Sequence, residues 1–173
     1  MDEKGMKNKL RKYFRERMKS LVLKNEFRLP IKKGHGLSCQ PDFIAYEKKA
    51  NLLYMIECKK GRSSKTVGHA FGQMLATKIT LRDSTDKNKL IERLNRHFNL
   101  EDHFDKKKLK NLKIIFGVAF LKEKVKSNPA MKHTIGCFVK EEPFKNFSVY
   151  YTGKTVKIHC GGRRESLYLD DLD

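Results

Sequence analysis

Asp42, Glu57 and Lys59 stand at the ends of two short apolar runs. Phe43 to Tyr46 follows Asp42, Glu47-Lys48-Lys49-Ala50-Asn51 makes a polar break, and Leu52 to Ile56 leads into Glu57-Cys58-Lys59. Such runs on either side of a polar turn predict a β-hairpin. Side chains at i and i+2 of a strand share a face, so Glu57 and Lys59 point one way while Ile56 and Cys58 point the other. With the turn centred near residues 49 and 50, paired positions have numbers summing to about 99, which sets Asp42 opposite Glu57. Two carboxylates held together repel unless a cation intervenes, and a hard divalent ion with oxygen ligands suits them. Lys59 adds a fixed positive charge beside the pair.

Pro41-Asp42, fourteen residues, then Glu57-Cys58-Lys59 resembles the PD-(D/E)xK motif of the restriction-endonuclease-like nucleases. The resemblance covers residues 10 to 120. It implies an α/β fold with a mixed central β-sheet flanked by helices in α-β-β-β-α-β order. It also implies metal-dependent hydrolysis of phosphodiesters, with DNA favoured over RNA. Asp42, Glu57 and the backbone carbonyl of Cys58 would hold one or two Mg²⁺ or Mn²⁺ ions. The metal would acidify water and neutralise charge growing on the phosphate. Lys59, with an ordinary pKa of ~10.4, stays charged beside two carboxylates, which suits orientation of water and transition-state stabilisation rather than proton abstraction. Many relatives carry a further acidic ligand upstream, for which Glu16 and Glu26 are the choices here, with Glu26 favoured. In related branches a helix after the lysine carries a Gln that helps hold the site. Gln73 is similar in placement, although the Tyr often found four residues later is Thr77.

The elements that must position these residues follow from periodicity. Leu10, Phe14, Met18 and Leu21 predict an amphipathic helix over residues 4–20, on which Glu16 faces solvent. Leu23 to Leu29 reads as a first strand, carrying Glu26, and Pro30 ends it. Residues 31–40, with Gly34 and Gly36 around His35, make a loop on the approach to the motif. Ser63 or Ser64 caps a helix running to Leu81, whose buried face is Val67, Ala70, Phe71, Met74, Leu75 and Ile79. His69 and Gln73 share its flank. Lys60, Arg62, Lys65, Lys78 and Arg82 surround this helix as a phosphate track. Leu90, Ile91, Leu94 and Phe98 predict a helix over residues 87–100, and Glu101 to Lys110 is a charged insertion. Asn111 to Leu121 has the unbroken apolar character of a strand buried on both faces. Beyond it, residues 122–173 read as a β-rich extension with short strands at 134–139, 148–152 and 155–159. The tail from Glu165 to Asp173 is acidic.

A chain of 173 residues is one domain's worth, here 1–173, able to bury its own core. The formal charge of +19 points to a polyanionic partner, nucleic acid first. No run of eighteen apolar residues and no signal-peptide pattern is found, so a soluble intracellular protein, of cytoplasm or nucleus, is expected. The four cysteines form no C-x-x-C pair, which argues against zinc and for reduced thiols. A homodimer stays open, as do a ribonuclease on the same fold, a non-catalytic nucleic-acid-binding module and a basic RNA-associated structural protein.

Overall fold

The computed structural model describes residues 1–22, 27–31, 40–101, 103–160 and 167–168. Glu26, His35, Cys39 and most of the acidic tail lie outside the described residues. The chain opens with α1 (Glu3–Arg17), capped by Asp2, whose carboxylate accepts from the Gly5 N–H at 2.8 Å. Met6, Leu10 and Phe14 are its buried stripe. The helix ends earlier than its periodicity suggests, because Lys19 takes a left-handed φ of 50° and Leu21 joins β1 (Leu21–Val22). The hairpin follows as β2 (Phe43–Glu47) and β3 (Leu52–Lys59), closed by Asn51 in the left-handed region, which Asn tolerates. Next come α2 (Ser64–Ser84), α3 (Lys87–Phe98), α4 (Lys106–Lys110) and β4 (Lys113–Leu121).

Beyond residue 121 the chain forms α5 (Lys122–Lys126), α6 (Pro129–Phe138), β5 (Ser148–Thr152), β6 (Val156–Cys160) and β7 (Leu167–Tyr168). The strand expected at 134–139 is a helix. Asn128 caps α6 through the Met131 N–H at 3.0 Å and Pro129 takes its first turn, while Met131 and Ile135 turn one face into the core. The region is therefore not a purely β extension. Its strands continue the main sheet, whose order is β1-β2-β3-β4-β5-β6 with β7 also on β4. β3, β4 and β5 are parallel, and β1, β2 and β6 run antiparallel to their neighbours. The fold is α/β, a mixed open sheet with helices on both faces.

Alternation along β3 divides the core. Leu53 and Met55 face Val67, Ala70, Phe71 and Met74 of α2. Tyr54, Ile56 and Cys58 face Met6, Leu10 and Phe14 of α1. By the same alternation Glu57 and Lys59 belong to the α2 side. β4 is buried along all but its first residue, as expected of a strand covered on both faces. Gly117 at its centre has no room for a side chain, since a Cβ there would lie 2.7 Å from the Tyr150 ring. On α2 the buried face includes Thr77, whereas Ile79 is 44% exposed. The Thr77 hydroxyl satisfies itself on the Gln73 carbonyl at 3.0 Å, so it can be buried without loss.

Candidate active site

The hairpin register runs from Phe43 opposite Ile56 to Glu47 opposite Leu52. Carried one step past the start of β2, the same register would set Asp42 opposite Glu57. Asp42 sits just before β2, and its Oδ2 accepts the Cys58 N–H at 2.9 Å. The Asp42 and Glu57 carboxyl groups are close enough for the charge of Asp42 to act on Glu57. Lys59 Nζ lies 2.7 Å from Glu57 Oε1, the contact expected of i and i+2 on one strand face.

Glu57 is only 4% exposed. Burial pushes its carboxyl up, to about 7, and the neighbouring Asp42 charge pushes the same way against the pull of Lys59. For Lys59 burial works against the charge, but the hydrogen bond and charge of Glu57, helped by Asp42 and Glu3, hold its ammonium above the ordinary value. Burial drives the Cys58 thiol upward. That thiol lies in the α1-side core, so Cys58 meets the site through its backbone.

Two further residues belong here. Lys7 on α1 donates to Asp42 Oδ1 at 3.0 Å and lies 3.4 Å from Glu3 Oε1. Burial opposes its charge, and the hydrogen bond and charge of Asp42, with Glu3, raise it above its ordinary value. The first turn of α1 therefore brings an acid, Glu3, towards the motif. Glu16, at the other end of α1, is exposed and stands 4.0 Å from Lys12. The i, i+4 spacing of Glu3 and Lys7 was visible in the sequence. Their approach to Asp42 depends on how α1 crosses the sheet, which no local pattern encodes.

Gln73 is exposed on α2, ten residues beyond the Ser63 cap, roughly 15 Å along the helix axis. Among the described residues no contact joins its side chain to Asp42, Glu57 or Lys59. His69 is likewise exposed. Lys60, Arg62 and Lys65 are exposed around the start of α2, and Lys78 is half-buried. The Arg62 carbonyl accepts from the Asn128 amide, which fastens this loop to α6. Arg82 is exposed and pairs with Asp83 through contacts at 2.6 and 3.0 Å.

Among the described residues no group of three or more His, Cys, Asp or Glu side chains is gathered for a metal ion. The donors at the hairpin end are two carboxylates and main-chain oxygen. That set suits Mg²⁺ or Mn²⁺, which are commonly bound through one or two carboxylates and complete their shells with water and phosphate oxygens. The raised proton affinity of Glu57 comes first from burial and then from the neighbouring Asp42 charge. Among the described residues no helix is long and apolar enough to cross a membrane. Compared with protein-family models, curated proteins and solved structures, the chain matches none.

Proposed function

We propose that the chain is a metal-dependent nuclease that hydrolyses phosphodiester bonds at Asp42, Glu57 and Lys59, with DNA favoured over RNA. One observation carries the reading: the hairpin register sets Asp42 against a buried Glu57 while Lys59 bonds that same carboxylate at 2.7 Å. The resemblance to the PD-(D/E)xK pattern and the charge of +19 add to it. Asp42, Glu57 and the Cys58 carbonyl would hold Mg²⁺ or Mn²⁺, with Glu3 a further acid that shares Lys7 with Asp42. When bound, such an ion supplies acidified water and a counter-charge for the phosphate.

The chain's own groups do the rest. The Cys58 N–H and Lys7 fix both oxygens of Asp42, so the carboxylate is held in place before substrate arrives. Lys59, kept charged by its neighbours, would orient the attacking water and stabilise negative charge on the phosphorane. Lys60, Arg62 and Lys65 would take flanking phosphates.

Cleavage of single-stranded, duplex and branched DNA and RNA with Mg²⁺ and with Mn²⁺ tests the proposal. Cleavage by wild type that is lost in both Asp42→Asn and Glu57→Gln is the expected result. No cleavage of any substrate with either ion would leave a nucleic-acid-binding module in its place.

A further inference from the structure

The solvent face of α1 and the turn between β5 and β6 enclose an open hollow of about 460 Å³. Lys9, Lys12, Arg17 and Lys154 line it, with Tyr13 in its wall. A second hollow, of about 630 Å³, opens on the other side of Arg17 against the β2–β3 turn, where Lys19, Lys48 and Lys49 stand. Among the described residues the acids along this band are Glu16 and Glu47. Glu16 lies 4.0 Å from Lys12, and Glu47 takes the Tyr54 hydroxyl at 3.0 Å. Seven cationic side chains therefore face two carboxylates, each already engaged.

We propose that this band is a second nucleic-acid surface, on the opposite face of the sheet from α2, which takes the sugar-phosphate backbone of a strand. From Lys9 to Arg17 the helix rises roughly 12 Å, and the band continues past Arg17 to the hairpin turn. A band of cations of this length spans several phosphates of a nucleic-acid strand, which recur regularly along it, so the cations match a polymer better than one small anion. Lysine and arginine contacts of this kind position a backbone without reading its bases. The second turn of α1 holds Lys7 on Asp42, and Lys9 stands two residues further on. One helix thus joins the band to the site. The band rests on the nuclease reading only for where the strand leads; its charge and shape stand without it.

The test is the salt dependence of binding to a fluorescent single-stranded oligonucleotide longer than the band, in Ca²⁺ and in chelator. Two variants are compared. One is Lys9→Gln with Lys12→Gln, Arg17→Gln and Lys154→Gln. The other removes equal charge elsewhere, at exposed Lys107, Lys126, Lys132 and Lys140, each to Gln. Circular dichroism melting checks that both fold. Each lost phosphate contact lowers the slope of log K against log salt by ~0.7 on single strands, so the band variant loses roughly 2 to 3 in slope. The control variant keeps most of it.

An equal loss in both variants, or an unchanged slope in the band variant, overturns the proposal. So does competition by poly-glutamate as effective as that by unlabelled oligonucleotide, which would make the band a surface for acidic proteins. Wild type that binds through the band but cleaves nothing refutes the nuclease reading and leaves the band standing. Cleaving wild type with no band-dependent slope does the reverse.

Discussion

Lys7 and Asp42, thirty-five residues apart in sequence, meet at 3.0 Å and tie the first helix to the mouth of the hairpin. The other Asp42 oxygen takes the Cys58 N–H, so this carboxylate is held from two sides. Glu57 is held from one side by Lys59 and pressed by Asp42. Each acid of the motif thus carries its own lysine, and an incoming cation competes with both.

Replacing Lys7 by Met removes one of those competitors. The Lys7–Asp42 pair is partly exposed, with side chains 16% and 18% accessible, and such pairs carry at most about 1 kcal/mol. Titration calorimetry should therefore show Mn²⁺ binding roughly fivefold tighter in Lys7→Met. Weaker binding would mean that the hold of Lys7 on Asp42 outweighs its competition with the cation.

Lys59→Ala separates rate from affinity. A preorganised group acting on developing charge typically contributes roughly 10²-fold to 10³-fold in rate, whereas one cation among many changes affinity far less. Single-turnover cleavage should fall by that factor, while binding in Ca²⁺ stays within a few-fold of wild type. An unchanged rate would remove Lys59 from the catalytic machinery.

Glu57 makes the metal-free protein's stability depend on pH. Its carboxyl rises from an ordinary 4.5 to about 7 in the fold, so between those values the folded state binds more protons than the unfolded one. The stabilisation is complete below about 4.5 and is lost as pH rises through about 7. That displacement corresponds to on the order of 3 kcal/mol. Urea melts in chelator should show wild type losing stability across this window. Glu57→Gln should lose much less and exceed wild type at pH 8. Parallel pH profiles for the two proteins would contradict the burial of a titrating Glu57.

Gly117→Ala should destabilise the fold, because the new methyl would press on the Tyr150 ring at 2.7 Å and the Ser148 carbonyl at 3.0 Å. Overpacking of this kind costs roughly 1–3 kcal/mol. Tyr150→Leu in the same chain should return part of the loss. Thermal melts of the single and double variants read the coupling, and simple additivity would show that the ring is not what resists the methyl.

The hairpin was legible because its information is local. A two-residue period and a polar turn give face and register together, and the observed pairs sum to the expected number. Ser63, one of the two caps offered for α2, was readable for the same reason, whereas Asp86, which caps α3, was not singled out. α6 was misread because Thr134, Ile135, Phe138 and Val139 favour strands singly, while the Asn128-Pro129 start and the spacing of Met131 and Ile135 belong to a helix. Tertiary packing against α2 decides between them: the Phe71 and Phe138 rings stack at 4.7 Å. Lys7 and Glu3 escaped notice because nothing within α1 says which strand end lies beneath its first turn. The parallel pairing of β5 with β4 was hidden similarly, since partners so far apart leave no periodic trace.

Because β3, β4 and β5 run parallel, Lys59, Leu121 and Thr152 all finish at one rim of the sheet. The connections leaving that rim carry Lys60, Arg62, Lys122 and Lys154, and their lengths set what can approach Asp42 and Glu57. The β2–β3 turn, residues 103–112 and residues 139–147 gather at the opposite rim, the last two leading from helices into β4 and β5. The molecule is thereby divided into an end where loop grafting would change what reaches Asp42 and Glu57 and an end where insertions or new chain termini would leave the carboxylates undisturbed.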